Sequence, residues 1–202
     1  MSHLFPFQPI YLASKSPRRA FLLEQIGVPF EVFLPVDEDE AEALEVEYPN
    51  ELPLDYVQRV CALKVQHAAQ SLAASGLPAR PILCADTTVA VGSSILAKPI
   101  DAADAERMLR LLSGCTHQVH TAVALMHKGQ LLSTCVSSEV TFKSMHDAEI
   151  EAYIASGEPF GKAGAYAIQG YGSIFVAHLA GSYSAVMGLP TFEVAHMLLN
   201  LD

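Results

Sequence analysis

The stretch Ser-Lys-Ser-Pro-Arg-Arg at residues 14–19 decides how the rest of the chain is organised. It follows a short apolar run at residues 10–13, which predicts a buried strand, and it leads into residues 20–26, whose apolar spacing predicts a helix. Ser16 suits the N-cap of that helix, and Pro17 suits its first position, where no backbone N–H is needed. The junction therefore directs free backbone N–H groups and the positive end of the helix dipole outward, which favours an anion.

Two arginines follow in the first helical turn. The helix dipole disfavours cations there, so Arg18 and Arg19 run against the local electrostatics. Guanidinium groups kept in such a place indicate an anionic ligand such as phosphate. The alternative is a capped helix that carries two solvated arginines, and the spacing alone leaves both interpretations open.

The composition is that of a folded protein, since 51% of the 202 residues are hydrophobic and 17% are charged. A chain of this length can form one α/β domain or two closely joined lobes. No apolar run is long enough to span a membrane and the start lacks a signal-like segment, so we expect a cytoplasmic protein with no membrane partner. Four widely spaced cysteines without a Cys-x-x-Cys pair indicate reduced thiols that serve in packing.

The charge is unevenly distributed along the chain. The net charge of −10 argues against a nucleic-acid partner. Nine of the 22 acids fall between Asp37 and Asp55, where there is no Lys or Arg. Such a run is usually a solvated loop, and it leaves the remainder nearly balanced, so a small positively lined pocket can still form.

Apolar periodicity and turn residues predict the remaining elements, with no repeat or linker, so we expect a single domain over residues 1–202. The predicted strands are residues 28–34, 81–85 with a continuation at 89–91, 117–126, 131–142 and 174–179. The predicted helices are residues 54–74, 102–113, 147–156 and 190–199.

Asp86 is the best candidate for catalysis, because it is a lone carboxylate at the end of the apolar run 81–85. Ligand groups gather at such strand ends in α/β proteins, although the same carboxylate could instead cap a turn. Glu38, in the acidic run, could be a second oxygen ligand for a cation such as Mg²⁺ or a solvated acid among others.

Two lysines could contact phosphate. Lys64 lies next to the apolar stripe of the helix at residues 54–74, and Lys98 is held beside Pro99 after a turn. Each could equally be a solvated surface lysine. The histidines lack zinc spacing, and the Gly-x-Ser-x-Gly, Walker and dinucleotide-binding patterns are absent, which excludes those chemistries.

Residues 157–188 hold seven of the twelve glycines. Glycine permits positive φ and close approach of the backbone to a ligand, so this segment predicts an ordered binding loop rather than a linker.

Together these stretches resemble the Maf family of nucleoside triphosphate pyrophosphatases over nearly the whole chain. The motifs that carry the resemblance are Leu-Ala-Ser-Lys-Ser-Pro-Arg-Arg (12–19), Ala-Asp-Thr-Thr-Val (85–89), Lys-Pro (98–99), Leu-Ser-Gly (112–114) before a His-x-Val-x-Thr strand, Lys-Ala-Gly-Ala-Tyr (162–166) and Gly-Leu-Pro (188–190). Ala167 departs from the pattern, because a glycine is often seen there.

The resemblance implies an α/β fold similar to that of inosine triphosphatases: a mixed, elongated sheet with flanking helices, and two lobes around a central cleft. It also implies hydrolysis of a nucleoside triphosphate between the α- and β-phosphates, as house-cleaning of the nucleotide pool. The expected cofactor is a divalent cation (Mg²⁺, Mn²⁺ or Co²⁺), and the expected partner is the substrate, with a homodimer left open.

The resemblance also implies roles for particular residues. Asp86 matches the proton acceptor and, with Glu38, the acidic positions at the metal. Substrate choice is assigned to Arg18, Thr87 and Gln169. Polar positions of the triphosphate site correspond to Ser14, Arg19, Lys64 and Lys98.

Three alternatives to a dTTP and UTP pyrophosphatase are open. A related branch hydrolyses 7-methyl-GTP and tends to carry Gly-Phe and Glu-Gly in the loop, whereas Ala-Tyr at 165–166 and Ile-Gln-Gly at 168–170 favour the dTTP and UTP branch. A nucleotide-binding regulator of septum formation is the second, and the intact Asp86 argues against a purely regulatory protein. A nucleic-acid-binding domain is the third, and the net charge disfavours it.

Overall fold

The computed structural model describes residues 5–35 and 44–201. The strands are β1 (Ile10–Leu12), β2 (Phe30–Val32), β3 (Ile82–Val91), β4 (Ser94–Leu96), β5 (Thr116–His127), β6 (Gln130–Phe142) and β7 (Val176–Ala180). The α-helices are α1 (Pro17–Gln25), α2 (Pro53–Ala74), α3 (Ala102–Leu112), α4 (Asp147–Ala155), α5 (Tyr183–Met187) and α6 (Thr191–Leu199), and short 3₁₀ helices cover Ala163–Ala165 and Tyr171–Phe175. None of these helices is long and apolar enough to cross a membrane.

The seven strands form one mixed sheet in the order β2-β1-β3-β5-β6-β7, with β4 paired to β3. Strand β1 is parallel to both β2 and β3, whereas β4 is antiparallel to β3 and β7 is antiparallel to β6. Strands β5 and β6 are joined by Lys128 and Gly129, whose φ angles of 47° and 78° suit the type I′ turn that matches strand twist. The mixed sheet with its helices confirms the predicted α/β class.

The backbone divides into two compact units, and the three longest strands contribute to both. Unit 1 comprises Met1–Asp86, Thr121–Cys135 and Gly188–Asp202. Unit 2 comprises Thr87–His120 and Val136–Met187.

Unit 1 is built on helix α2 and strands β1 and β3. The buried face of α2 includes Val57, Cys61 and Val65, none of them more than 1% exposed. The Cys61 thiol donates to the carbonyls of Cys84 on β3 (3.7 Å) and Ala122 on β5 (3.5 Å). The helix is thereby fixed against both strands. All four cysteines are free thiols, as predicted.

Unit 2 is built on a cluster of aromatic rings. His117 on β5 meets Phe142 on β6 edge to face at 5.0 Å between centroids, and Tyr166 meets the same Phe142 at 4.8 Å. The His117 Nε2 and the Tyr166 hydroxyl are hydrogen-bonded at 2.9 Å. Burial lowers the pKa of His117 from 6.5 to about 4, so the ring is neutral at pH 7.

Two local predictions were wrong in detail: the start of the strand at residues 174–179, and Asp147 as the cap of the helix at residues 147–156. The strand predicted at residues 174–179 begins only at Val176, because residues 174–175 belong to the 3₁₀ helix Tyr171–Phe175, in which Ser173 N–H bonds to the Gly170 carbonyl at 3.1 Å. Helix α4 is capped at His146, whose N–H donates to Glu149 at 2.9 Å, and not by Asp147. Ser16 is the N-cap of α1, as predicted, although its side chain makes no capping hydrogen bond.

Replacing His117 by Gln tests the buried neutral histidine. As pH falls from 6.5 towards 4, the unfolded chain binds a proton at this histidine that the native protein excludes, so native stability is lost over that window. The difference in the free energy of unfolding between the wild type and the variant should therefore change by about 3 kcal/mol over this range. Chemical denaturation at a series of pH values measures it. Parallel pH curves for the two proteins would contradict the assignment.

Candidate functional site

Asp86 shares a lysine with a second carboxylate. Lys64 Nζ donates to Asp86 Oδ1 at 2.7 Å and to Glu45 Oε1 at 2.6 Å. The three side chains are only 14–31% exposed. Burial opposes the charge on Lys64, but the charges of Asp86 and Glu45 and the hydrogen bonds to them outweigh it, so the pKa of Lys64 is raised. The ammonium is a fixed positive charge between two acids.

The position of Asp86 differs from the predicted one. Strand β3 continues from Ile82 to Val91, so Asp86 lies within the strand and not at its end. Among the described residues, the pairing of β3 with β1 ends where Leu83 lies opposite Leu12, three residues before Asp86. Asp86 and Thr87 are the half-buried residues between fully buried ones on either side. The carboxylate is therefore accessible from a strand that is otherwise core.

Tyr56 anchors the segment that carries Glu45. Its hydroxyl donates to the Glu45 carbonyl at 3.0 Å. Burial and then the charges of Asp86 and Glu45 raise the pKa of Tyr56 to about 12, so the hydroxyl stays protonated and remains a donor. Sequence analysis missed Glu45, because nothing in a run of nine acids marks the one that reaches a buried lysine.

The two arginines of the first turn of α1 have different surroundings. Arg19 donates from Nε to the Gly188 carbonyl at 2.9 Å and from Nη1 to Ser14 Oγ at 3.1 Å. Burial and the neighbouring charge of Arg19 lower the pKa of Arg18. The first turn contains no acid.

Ser14 connects this turn to the strand before it. Its hydroxyl accepts from the Ser16 N–H at 3.2 Å as well as from Arg19. The arrangement fixes the turn between β1 and α1, as the sequence predicted, although the serine that bonds to the turn is Ser14 rather than Ser16.

The remaining predicted site residues belong to unit 2. Lys98 is exposed directly after β4, and the carbonyl of its neighbour Ala97 accepts from Gly164 N–H at 3.2 Å. Gly164 has a φ of 67°, and an added Cβ would meet the Val89 side chain at 2.8 Å, so only glycine fits. Gln169 is exposed, whereas residues 164–168 are buried.

The donor set suits a hard cation. Residues 5–35 and 44–201 contain no group of three or more His, Cys, Asp or Glu that could hold a metal. Carboxylate oxygens are the ligands that Mg²⁺ prefers, with phosphate and water completing the shell. Asp86 and Glu45 provide such oxygens, and both carboxylates already bind one positive charge, the Lys64 ammonium. Glu38, the other predicted ligand, lies outside the described residues.

Comparisons with known proteins agree over nearly the full length. A family described as Maf-like protein matches residues 9–201. The dTTP/UTP pyrophosphatase of Ralstonia nicotianae is 58% identical over 194 residues, 96% of this chain and 94% of that protein. The protein of the same name from Albidiferax ferrireducens is 54% identical over 189 residues, 94% of each. A solved nucleoside-triphosphatase / dITP/XTP pyrophosphatase from Mycobacterium abscessus matches 67% of this chain and 74% of its own, with 19% identity and a TM-score of 0.41.

A double-mutant cycle tests the shared lysine. Lys64→Met leaves Asp86 and Glu45 without their common cation, and we expect it to lower the free energy of unfolding by about 2 kcal/mol. The same change in a Glu45→Gln background should cost about 1 kcal/mol less, because one carboxylate no longer loses a partner.

The control is Glu106→Gln, which breaks an ion pair with Arg110 whose side chains are 45% and 49% exposed. It should shift stability by no more than about 0.5 kcal/mol. Additive effects of Lys64→Met and Glu45→Gln would contradict the shared ion pair.

Proposed function

Because the chain belongs to the Maf-like protein family, we propose that it is a pyrophosphatase that hydrolyses dTTP and UTP to the monophosphate and pyrophosphate. The observation that carries this function is Asp86, an accessible carboxylate in a buried strand, with its partner Lys64 at 2.7 Å. The relatives at 54–58% identity are dTTP/UTP pyrophosphatases by name, which supports the substrate class.

The reaction requires an activated water and compensation of phosphate charge. We assign Asp86 to accept the proton from the water that attacks the α-phosphorus, while the bond to the β-phosphate breaks and pyrophosphate leaves. Cations that stabilise the developing negative charge supply most of such catalysis. In this chain they are Arg18, Arg19, Lys64 and Lys98.

The surroundings of Arg18 and Arg19 support a specific role for each. We assign Arg18 to contact the phosphates, whose negative charge would offset the burial and the charge of Arg19 that lower the pKa of Arg18. Arg19 contributes from a fixed position, because it holds the Ser14 hydroxyl and the Gly188 carbonyl. Ser14 would thus face the ligand as part of a preorganised turn.

The cation proposed as cofactor is Mg²⁺, Mn²⁺ or Co²⁺, held by Asp86 and Glu38. When bound, it would neutralise phosphate charge and orient the triphosphate. Substrate choice is assigned to Arg18, Thr87 and Gln169. The further proposals are one Maf-like domain over residues 1–202, action on the nucleotide pool of the cytoplasm, no nucleic-acid or membrane partner, and a homodimer.

The function is tested by pyrophosphate release from a panel of triphosphates with each of the three metals. We expect dTTP and UTP to be hydrolysed well above dATP, GTP and 7-methyl-GTP. Preference for 7-methyl-GTP would instead favour the related branch, and binding without turnover would favour a regulator.

Asp86→Asn should abolish nearly all turnover. Asparagine has almost the same shape but cannot accept the proton, so kcat should fall by about 10²- to 10⁴-fold. The exposed carboxylate of Asp147 provides the control, since Asp147→Asn should leave kcat unchanged. Thermal unfolding of both variants verifies the fold. A kcat within threefold of wild type at saturating metal would show that Asp86 is not the base.

Gln169→Glu should change selectivity rather than hydrolysis. The glutamine amide can donate a hydrogen bond to a carbonyl of thymine or uracil and accept one from the N3–H. A carboxylate only accepts, which suits the donor-rich edge of guanine. The ratio of kcat/KM for dTTP and UTP to that for 7-methyl-GTP should fall by about tenfold or more. Gln130→Glu, at an exposed position on β6, is the control. An equal drop on every substrate would contradict the base-reading role.

A further inference from the structure

We propose that Glu158 and Tyr153 form a hydrogen-bonded clamp that fixes the turn at residues 167–170 and so positions Gln169 for substrate selection. The inference rests on the proposed function, because it assigns to Gln169 the reading of the base. Neither clamp residue was singled out in the sequence, and both act through Gln169 as positioning residues.

The clamp closes on both sides of the turn. Before it, Ala167 N–H donates to the Tyr153 hydroxyl at 3.2 Å, and that hydroxyl donates to Glu158 Oε1 at 2.8 Å. After it, Gly172 N–H donates to the same Oε1 at 2.9 Å, and Tyr171 N–H donates to Oε2 at 2.9 Å. Three donors therefore converge on one carboxylate, and two of them are backbone groups that follow Gln169 closely.

The turn itself is closed by its own backbone. Gly170 N–H donates to the Ala167 carbonyl at 3.2 Å, so Ile168 and Gln169 occupy the two corner positions of a four-residue turn. Ile168 is 5% exposed, and Gln169 is exposed. The corner that carries the amide is thus the one that presents a side chain for a ligand.

The charges are consistent with a carboxylate that is held ionised. Burial alone would raise the pKa of Glu158, but the hydrogen bonds from Gly172, Tyr171 and Tyr153 lower it below its usual value. Burial and the bond to Glu158 raise the pKa of Tyr153, so its hydroxyl remains a donor. Each polar group of the clamp therefore has the protonation state that its hydrogen bonds require.

Two glycines show how closely the clamp fits. An added Cβ at Gly170 would lie 2.1 Å from the Glu158 carboxylate, and one at Gly172 would lie 2.7 Å from the Tyr153 hydroxyl. Neither has positive φ, so lack of space and not backbone conformation explains both glycines. The Gly-x-Gly after Gln169 is the sequence signature of the clamp.

The position of the Gln169 amide matters for selection, because an amide that can move forms hydrogen bonds with different bases and so discriminates poorly between them. A site that reads a base by hydrogen bonds rejects a different base by leaving buried partners unpaired, and this requires the amide to be held in place. A turn released from Glu158 and Tyr153 would let Gln169 adapt to several bases. Loss of the clamp should therefore reduce selectivity more than it reduces hydrolysis.

Glu158→Gln and Tyr153→Phe are the test variants. In Glu158→Gln, an NH₂ group replaces one carboxylate oxygen and faces a backbone N–H, which then has no acceptor. In Tyr153→Phe, the hydroxyl that joins Ala167 to Glu158 is lost. Both substitutions keep the side-chain shape. Each orphaned group costs enough to release the turn, so the ratio of kcat/KM for dTTP to that for 7-methyl-GTP should fall by about 10- to 100-fold. The value for 7-methyl-GTP itself should change by less than about threefold, since the catalytic groups stay in place.

Amide hydrogen exchange gives a readout that does not depend on substrate. Exchange in the peptide that covers residues 166–172 should accelerate in both variants, and Glu151→Gln, an exposed acid on the same helix α4, should leave exchange and selectivity unchanged. Thermal unfolding verifies the fold, and Tyr153→Phe carries the test if Glu158→Gln does not fold.

Two outcomes overturn the inference. One is an equal drop on all substrates in a folded variant, which would mean that the clamp only stabilises unit 2. The other is unchanged selectivity with accelerated exchange, which would mean that the clamp does not position Gln169 for selection. A wild type without preference for dTTP and UTP overturns the proposed function instead, and unchanged exchange in the variants would then overturn the clamp separately.

Discussion

The described site depends on the ion pairs that the Lys64 ammonium forms with Asp86 and Glu45. A carboxylate within a core strand is costly unless it is paired, and Asp86 is paired at 2.7 Å. The lysine reaches it because Cys61, one turn earlier on α2, is packed on the carbonyls of β3 and β5. Burial raises the pKa of Cys84 to about 12, so the nearby thiol stays neutral and does not compete for the lysine. Ordinary core packing thus sets the position of the central charge.

The two adjacent arginines show why a sequence motif is not yet a site. Both were predicted to meet an anion, and nothing in their order distinguishes them. The fold assigns Arg19 to the Gly188 carbonyl, 169 residues away, and to the Ser14 hydroxyl. Burial and the charge of Arg19 lower the pKa of Arg18. The contacts that Arg19 makes in the turn therefore depend on the chain returning to α1 near its end.

Local sequence patterns were sufficient to predict most helices and strands. They were insufficient where contacts with residues distant in the sequence determine the structure. The sequence predicted α2 at residues 54–74 and the hairpin of β5 and β6 to within two residues, because each has a strong period and clear turn residues. It failed at residues 174–175, which belong to a 3₁₀ helix that begins at Tyr171 with hydrogen bonds to Gly170 and Glu158. It also missed Glu45, whose importance depends on the path of a loop. Asp86 could be singled out from sequence, whereas the partners of Asp86 could not.

The glycine-rich segment shows that one residue type can serve two purposes. Gly164 is required by a φ of 67° and by the Val89 side chain, whereas Gly170 and Gly172 are required by the space that Glu158 and Tyr153 occupy. Ala167 stands where a glycine was expected, and its φ is not positive, so a methyl group is tolerated there. Asp86, Lys64 and Arg19 belong to unit 1, whereas Lys98, Gln169 and the residues that hold Gln169 belong to unit 2. The hydrogen bonds of Lys64 with Asp86 and Glu45 share no residue with those that Tyr153 and Glu158 make around Gln169, so a substitution in one cluster can leave the contacts of the other intact.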